Sequence, residues 1–146
     1  MGTMTVEMIA VTALDRISVD GGDVLHAIKR VDPGFIDFGE AYFSGINVGY
    51  VKAWKRHLAM TLNIVVPVGS VQFVFVDELG GIREEIIGTE VGRYVRLTVP
   101  PGIWFGFKGL FSPRSILMNV ADIPHEPHEV ERLAVNSFNF DWGAKK

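Results

Sequence analysis

Leu62-Asn63-Ile64-Val65-Val66-Pro67-Val68-Gly69-Ser70-Val71-Gln72-Phe73-Val74-Phe75-Val76 is the stretch on which the fold turns. β-Branched and aromatic residues crowd both halves, Gly69 divides them, and Asp77-Glu78-Leu79-Gly80-Gly81 closes the second. Such side chains suit a pleated, buried surface, and clusters of Gly and Asp punctuate it. The stretch therefore predicts a strand, a tight turn, a second strand and then a hairpin turn.

The same rhythm continues on either side of this stretch. From Val48 onward, apolar runs alternate with turn signals at short spacing, the pattern of an all-β sandwich or barrel. Gly92 to Val99 reads as a strand stopped by Pro100-Pro101-Gly102, because consecutive prolines remove ladder donors. Ser115 to Val120 is a further apolar strand, Phe35 to Phe43 another, and Asp20-Gly21-Gly22-Asp23 a turn. Between Ile123 and Arg132 the polar segment with two prolines predicts a surface loop with one helical turn. The aromatic tail from Phe138 to Trp142 is expected to dock, with Gly143-Ala144-Lys145-Lys146 left loose.

Composition narrows the function classes. With 146 residues, 48% hydrophobic and 21% charged, the chain reads as one domain, residues 1–146, with a real core and no disordered polyelectrolyte. No apolar run reaches the ~18 residues of a membrane span. The net charge is −3 and the basic residues are scattered, which argues against a nucleic-acid surface. There is no cysteine, so neither a disulfide nor a thiolate metal site can form. Met1 to Leu14 lacks the basic start and continuous apolar stretch of a signal peptide, and the cytoplasm is the expected compartment.

Four ordered segments carry a family likeness. They are Gly39-Glu40-Ala41-Tyr42-Phe43-Ser44, then Gly49-Tyr50-Val51-Lys52-Ala53-Trp54-Lys55-Arg56-His57, then Pro100-Pro101-Gly102-Ile103-Trp104-Phe105-Gly106-Phe107, and finally Pro127-His128-Glu129-Val130-Glu131-Arg132-Leu133 with Asp141-Trp142. In order and spacing they resemble the dTDP-4-dehydrorhamnose 3,5-epimerase (RmlC-like) family and its shorter relatives, over roughly residues 16–142. The resemblance implies an all-β cupin fold, a double-stranded β-helix or jelly-roll barrel with short peripheral helical turns. It also implies a homodimer and a nucleotide-sugar ligand inside the barrel, with no cofactor. Fold kinship does not fix chemistry; the residues at the site positions do.

Metal-dependent cupins place two His one residue apart on a strand, a Glu soon after and a third His on a later strand. Counted from Gly49, these fall at Lys55, His57, Leu62 and Phe105, and His57 alone can ligate a cation. No metal is expected in the barrel, and His57 reads as a hydrogen-bonded interior or pocket-wall histidine. His125, Glu126, His128 and Glu129 form a second cluster, but Pro127 within it opposes a ligating helix and a solvated loop is expected.

Epimerisation beside a ketone needs a base, a group that stabilises the enolate oxygen, and an acid on the opposite face. The resemblance assigns these roles to a His, a Lys and a Tyr with a second His beside them. Their positions hold Lys55, Leu62, Met118 and Phe105. The family's phosphate-binding Arg residues fall at Gly21 and Lys52, the latter keeping charge without the bidentate fork. Leu62, Phe105 and Met118 should make the interior apolar.

Lys55 is then the candidate catalytic group, since a desolvated ammonium loses pKa and can act as a base or form a Schiff base, with His57 as its companion. The competing role for Lys55 is an amine extended along the wall to the mouth. Candidate substrate-binding residues are Lys52, Tyr50, Asn63, Phe105, Met118 and Asn119. Tyr50 and Tyr94 are the hydroxyls considered for the missing acid, and Trp54 and Trp104 read as core aromatics. Three functions are consistent with these residues: a metal-independent epimerase or ketoisomerase of sugar nucleotides, a non-catalytic small-molecule binder, and a dimeric interaction module.

Overall fold

The two strands of the opening stretch face each other across the core rather than lying side by side. The computed structural model describes residues 3–143, so the expectation of a loose Ala144-Lys145-Lys146 lies outside the described residues. Its strands are β1 (Ala10–Ala13), β2 (Arg16–Val19), β3 (Gly22–Leu25), β4 (Glu40–Asn47), β5 (Val51–His57), β6 (Leu62–Val68), β7 (Val71–Val76), β8 (Ile82–Ile87), β9 (Val95–Val99), β10 (Trp104–Gly109), β11 (Arg114–Ala121) and β12 (Val130–Arg132). Short 3-10 turns at Val6–Met8, Pro127–Glu129 and Val135–Ser137 complete the elements. No helix is long and apolar enough to cross a membrane.

Two five-stranded antiparallel sheets form the jelly-roll barrel, ordered β1-β9-β6-β11-β4 and β12-β5-β10-β7-β8, with β2 and β3 as a separate hairpin. Gly69 turns the chain from one sheet to the other. Its φ of +90° favours glycine, and a Cβ there would collide with the Ser115 hydroxyl. That hydroxyl accepts from the Ser70 amide at 3.1 Å and donates to the Ser70 carbonyl at 3.0 Å, tying the corner to β11.

Alternation along the strands fills both sides of the second sheet. Phe73 and Phe75 on β7 enter the space between the sheets with Ile46, Leu62, Ile64, Leu97 and Leu117. Val74 and Val76 point the other way and pack with Trp54, Trp104 and Trp142, against which Phe138 and Phe140 also rest. The aromatic tail therefore docks on the outside of this sheet, each buried aromatic or large aliphatic contributing about 1.5–3 kcal/mol.

The outer face of the first sheet is covered too. Arg96 on β9 is 1% exposed and donates to the carbonyls of Ala27 and Pro33, pinning the irregular segment before β4. This corrects the expected strand Phe35 to Phe43. The strand begins only at Glu40, because Gly39 lies hard against the Ile123 backbone while its amide bonds the Ala121 carbonyl at 2.7 Å. Similarly, β9 starts at Val95 rather than Gly92, since Gly88 and Arg93 pair with each other across a turn. The loop expected over Ile123 to Arg132 ends in β12, which pairs with β5 through Val130↔His57 and Arg132↔Lys55.

Candidate active site

A register shift in β5 decides which of its side chains look inward. Lys52 pairs with Phe107 and Ala53 with Gly106, but Phe105 pairs with Lys55, so Trp54 is an extra residue. In a regular strand Lys52 and Lys55 would face opposite sides; the bulge turns both toward Phe105 and Phe107. The displaced Trp54 indole buries outward, donating to the Val135 carbonyl at 3.0 Å and meeting Phe138 edge to face at 5.0 Å. Gly106 allows this approach, since a Cβ there would lie 2.5 Å from that of Ala53.

The result is a two-part cavity. The outer part, about 310 Å³, is lined by Lys52, Lys55, Arg132, Ser44, Phe105 and Phe107, with Ala53, Trp54 and Leu133. A small inner chamber of about 60 Å³ shares Ser44, Lys55, Phe105 and Phe107 and adds Tyr42, Leu62, Ile64, Phe73, Leu117 and Asn119. Three cations thus border the outer part, while the inner chamber is mostly apolar. Lys55 touches both, its Nζ 5.9 Å from the centroid of the Phe105 ring. Burial, then the Arg132 and Lys52 charges, hold its amine below the ordinary 10.5, against the opposing pull of Glu129. Lys52 anchors its own ammonium on the Gly45 carbonyl at 3.1 Å.

His57 lies behind this wall and lines neither part of the cavity. Its Nδ1 meets Glu129 Oε1 at 2.7 Å, and the other carboxylate oxygen accepts the amides of Ala59 and Met60 at 2.8 and 2.6 Å. Burial lowers the His57 pKa and outweighs the opposing Glu129 hydrogen bond. Burial also works to raise Glu129, but the His57 and backbone hydrogen bonds outweigh it and hold its carboxyl below 4.5. A neutral imidazole with its proton on Nδ1 fits this environment. Its Nε2 has no partner among the described residues, and the ring stacks with Phe105 at 6.3 Å between centroids. Among the described residues no group of three His, Asp or Glu side chains gathers as a metal site would need.

The candidate residues therefore divide. Lys52, Lys55, Phe105 and Asn119 line the cavity, and His57 supports it from behind. Met118 belongs to the other face of β11, where burial alternates and Leu117 and Asn119 take the inward positions. Asn63 also faces outward, donating to the Gly34 carbonyl at 3.0 Å and accepting from Thr98 at 2.6 Å. Tyr50 precedes β5 and is 57% exposed, while Tyr94 donates to the His26 carbonyl at 2.7 Å on the outer covering segment. Gly21 and Gly22 lie in the exposed β2–β3 hairpin, away from the cavity.

Four contributors were not singled out from the sequence: Tyr42, Ser44, Glu129 and Arg132. Tyr42 and Ser44 share the parity of buried Ile46 on β4, a readable signal once the strand is correctly bounded. Glu129 was assigned to a solvated loop, yet it is 8% exposed, because the 3-10 turn delivers it to His57 and two free amides.

Comparison with known proteins matches this geometry to a family. No protein-family model matches the chain, and no curated protein does. Among solved structures, a dTDP sugar isomerase from Desulfovibrio desulfuricans G20 shares 36% identity, covering 95% of this chain and 94% of that one, with a TM-score of 0.90. The RmlC dTDP-6-deoxy-D-glucose-3,5-epimerase of Legionella pneumophila, solved with dTDP-4-keto-L-rhamnose, is 15% identical over 98% of this chain and 84% of its own, with a TM-score of 0.79. The 3,4-ketoisomerase QdtA of Thermoanaerobacterium thermosaccharolyticum, solved with TDP, is 14% identical over 88% and 90%, with a TM-score of 0.75. These last two share the fold. At 36% identity over nearly the whole length of both chains, the first shows more: the chain belongs to the dTDP-sugar isomerase and epimerase family of RmlC-like cupins.

Proposed function

We propose that the barrel binds a dTDP-4-keto-6-deoxyhexose and moves a proton at a carbon beside its ketone, with Lys55 as the acid–base group and no metal. The observation that carries this reading is the position of Lys55, at the junction of a cation-rimmed outer cavity and a mostly apolar inner chamber. The outer cavity falls within the usual volume range of small-molecule sites.

Each part has a matching piece of such a ligand. Lys52 offers the diphosphate a point charge and Arg132 a planar fork of donors. The apolar surfaces of Phe105, Leu62 and Leu117 suit a deoxyhexose methyl group. A carbon-bound proton beside a ketone is acidified, and the lone pair of a depressed lysine can take it, the electron pair moving onto the ketone oxygen. The positive field of the same cations favours that developing charge. In this reading His57 and Glu129 position the wall behind Lys55 and do not touch the substrate.

Incubation with dTDP-4-keto-6-deoxyglucose in deuterated water tests the proposal. Deuterium is expected at a carbon adjacent to the ketone, along with a rise in melting temperature on adding the nucleotide. The apolar replacements inside the barrel favour one other reading, a non-catalytic binder. Stabilisation by the nucleotide sugar without any exchange at high protein concentration would establish that reading instead.

A further inference from the structure

We propose that Tyr42 is a catalytic residue that delivers a proton from the wall opposite Lys55, so that the site inverts the carbon it deprotonates. The inference rests on the nucleotide-sugar reading above and adds a second group and a stereochemical outcome to it.

The two groups stand on different sheets. Tyr42 is on β4 at the end of the first sheet, and Lys55 is on β5 in the second, yet both line the same inner chamber. A sugar ring held between them presents one face to each wall. A single acid–base group can remove and return a proton only on its own face; two groups on opposite walls permit inversion.

Tyr42 is equipped for this role by its neighbour across the strand pair. Tyr42 and Asn119 are direct partners in the β4–β11 ladder. Asn119 is 3% exposed and donates through Nδ2 to the Tyr42 hydroxyl oxygen at 3.2 Å. That bond occupies a lone pair of the phenol and leaves its proton free to be given away. Asn119 Oδ1 is buried without a partner among the described residues, so the chamber retains an unused acceptor beside the phenol that a sugar hydroxyl can fill. The chain contains three tyrosines, and the other two, Tyr50 and Tyr94, do not line the chamber.

The proton count closes without a further reactant. Lys55 Nζ takes the carbon-bound proton and becomes an ammonium, while the C–H electron pair passes to the ketone oxygen as an enolate. The enolate carbon then takes the Tyr42 hydroxyl proton on its other face, the ketone re-forms and a phenolate remains. Water relays the proton from the ammonium to the phenolate, which is feasible because Tyr42 is 38% exposed.

Wild type, Y42F and Y50F are compared on dTDP-4-keto-6-deoxyglucose in deuterated water, with NMR following deuterium content and configuration at the exchanging carbon. Wild type is expected to exchange and invert. Y42F should keep exchange and nucleotide-induced thermal stabilisation while inversion falls by about a hundredfold or more; Y50F, at an exposed tyrosine that lines neither part of the cavity, should retain both. Inversion by Y42F at the wild-type rate would overturn the assignment, as would simultaneous loss of exchange, inversion and stabilisation, the signature of a purely structural role. A wild type that exchanges without inverting refutes this inference but leaves the earlier proposal standing. A wild type that does not exchange refutes both.

Discussion

Glu129 shows how one buried carboxylate can organise a wall. It accepts from His57 and from the amides of Ala59 and Met60, so Glu129→Ala would leave two buried donors and the part-buried Ala59 amide unanswered. At about 1–3 kcal/mol for each unsatisfied group, less what the site recovers by relaxing, a loss of about 3 kcal/mol is expected. Differential scanning calorimetry should register it as a fall of roughly 10 °C in Tm. The pH dependence has a defined sign. Native His57 is held below 6.5 and native Glu129 below 4.5. On acidification the unfolded chain takes up these protons before the native one does, so stability falls as pH drops below about 6.5 and again below about 4.5. The Glu129→Ala variant should show a smaller lower step, the remainder coming from Glu85 and Asp77, whose carboxyls are also held low.

At the scale of elements, the bulge in β5 is what gathers the cations. Without the extra residue at Trp54, Lys52 would point away from the cavity. Gly106→Val tests this dependence directly, because its Cβ would lie 2.5 Å from that of Ala53, where β10 and β5 approach. Overpacking of this kind should cost about 2 kcal/mol, read as a lower urea midpoint, and should abolish exchange by displacing Lys55. The bulge was not legible in the sequence. Strand existence was: β6, β7, β9 and β11 all fall on segments that the sequence predicts as strands. Parity was not, and Met118 and Asn63 were accordingly expected inside a barrel whose interior they do not face.

The reason lies at the scale of the whole molecule. Each sheet is covered on both faces, the first by the segment that Arg96 and Asn63 hold and the second by the aromatic tail. A strand buried on both sides reads as a continuous apolar run, and Leu62 through Val66 are indeed all buried. The alternation that would identify inward residues is erased, and each inward assignment then depends on a register no single strand reveals. Motif order survived because it depends on turns and spacing, so the fold was readable at distance while only part of the cavity wall was. Lys55, Lys52, Phe105 and Asn119 were found; Tyr42, Ser44 and Arg132 required the assembled sheets to come together.

In the proposed reaction Lys55 moves the substrate proton. The most direct measurement is deuterium incorporation into dTDP-4-keto-6-deoxyglucose as a function of pH, by wild type and by Lys55→Met. Wild type should show a rate that rises with pH through a midpoint below 10.5, where the depressed amine loses its proton. Lys55→Met, still stabilised by the nucleotide, should exchange at least about a hundredfold more slowly with that limb abolished. Exchange by Lys55→Met at the wild-type rate and with the same pH limb would contradict the claim.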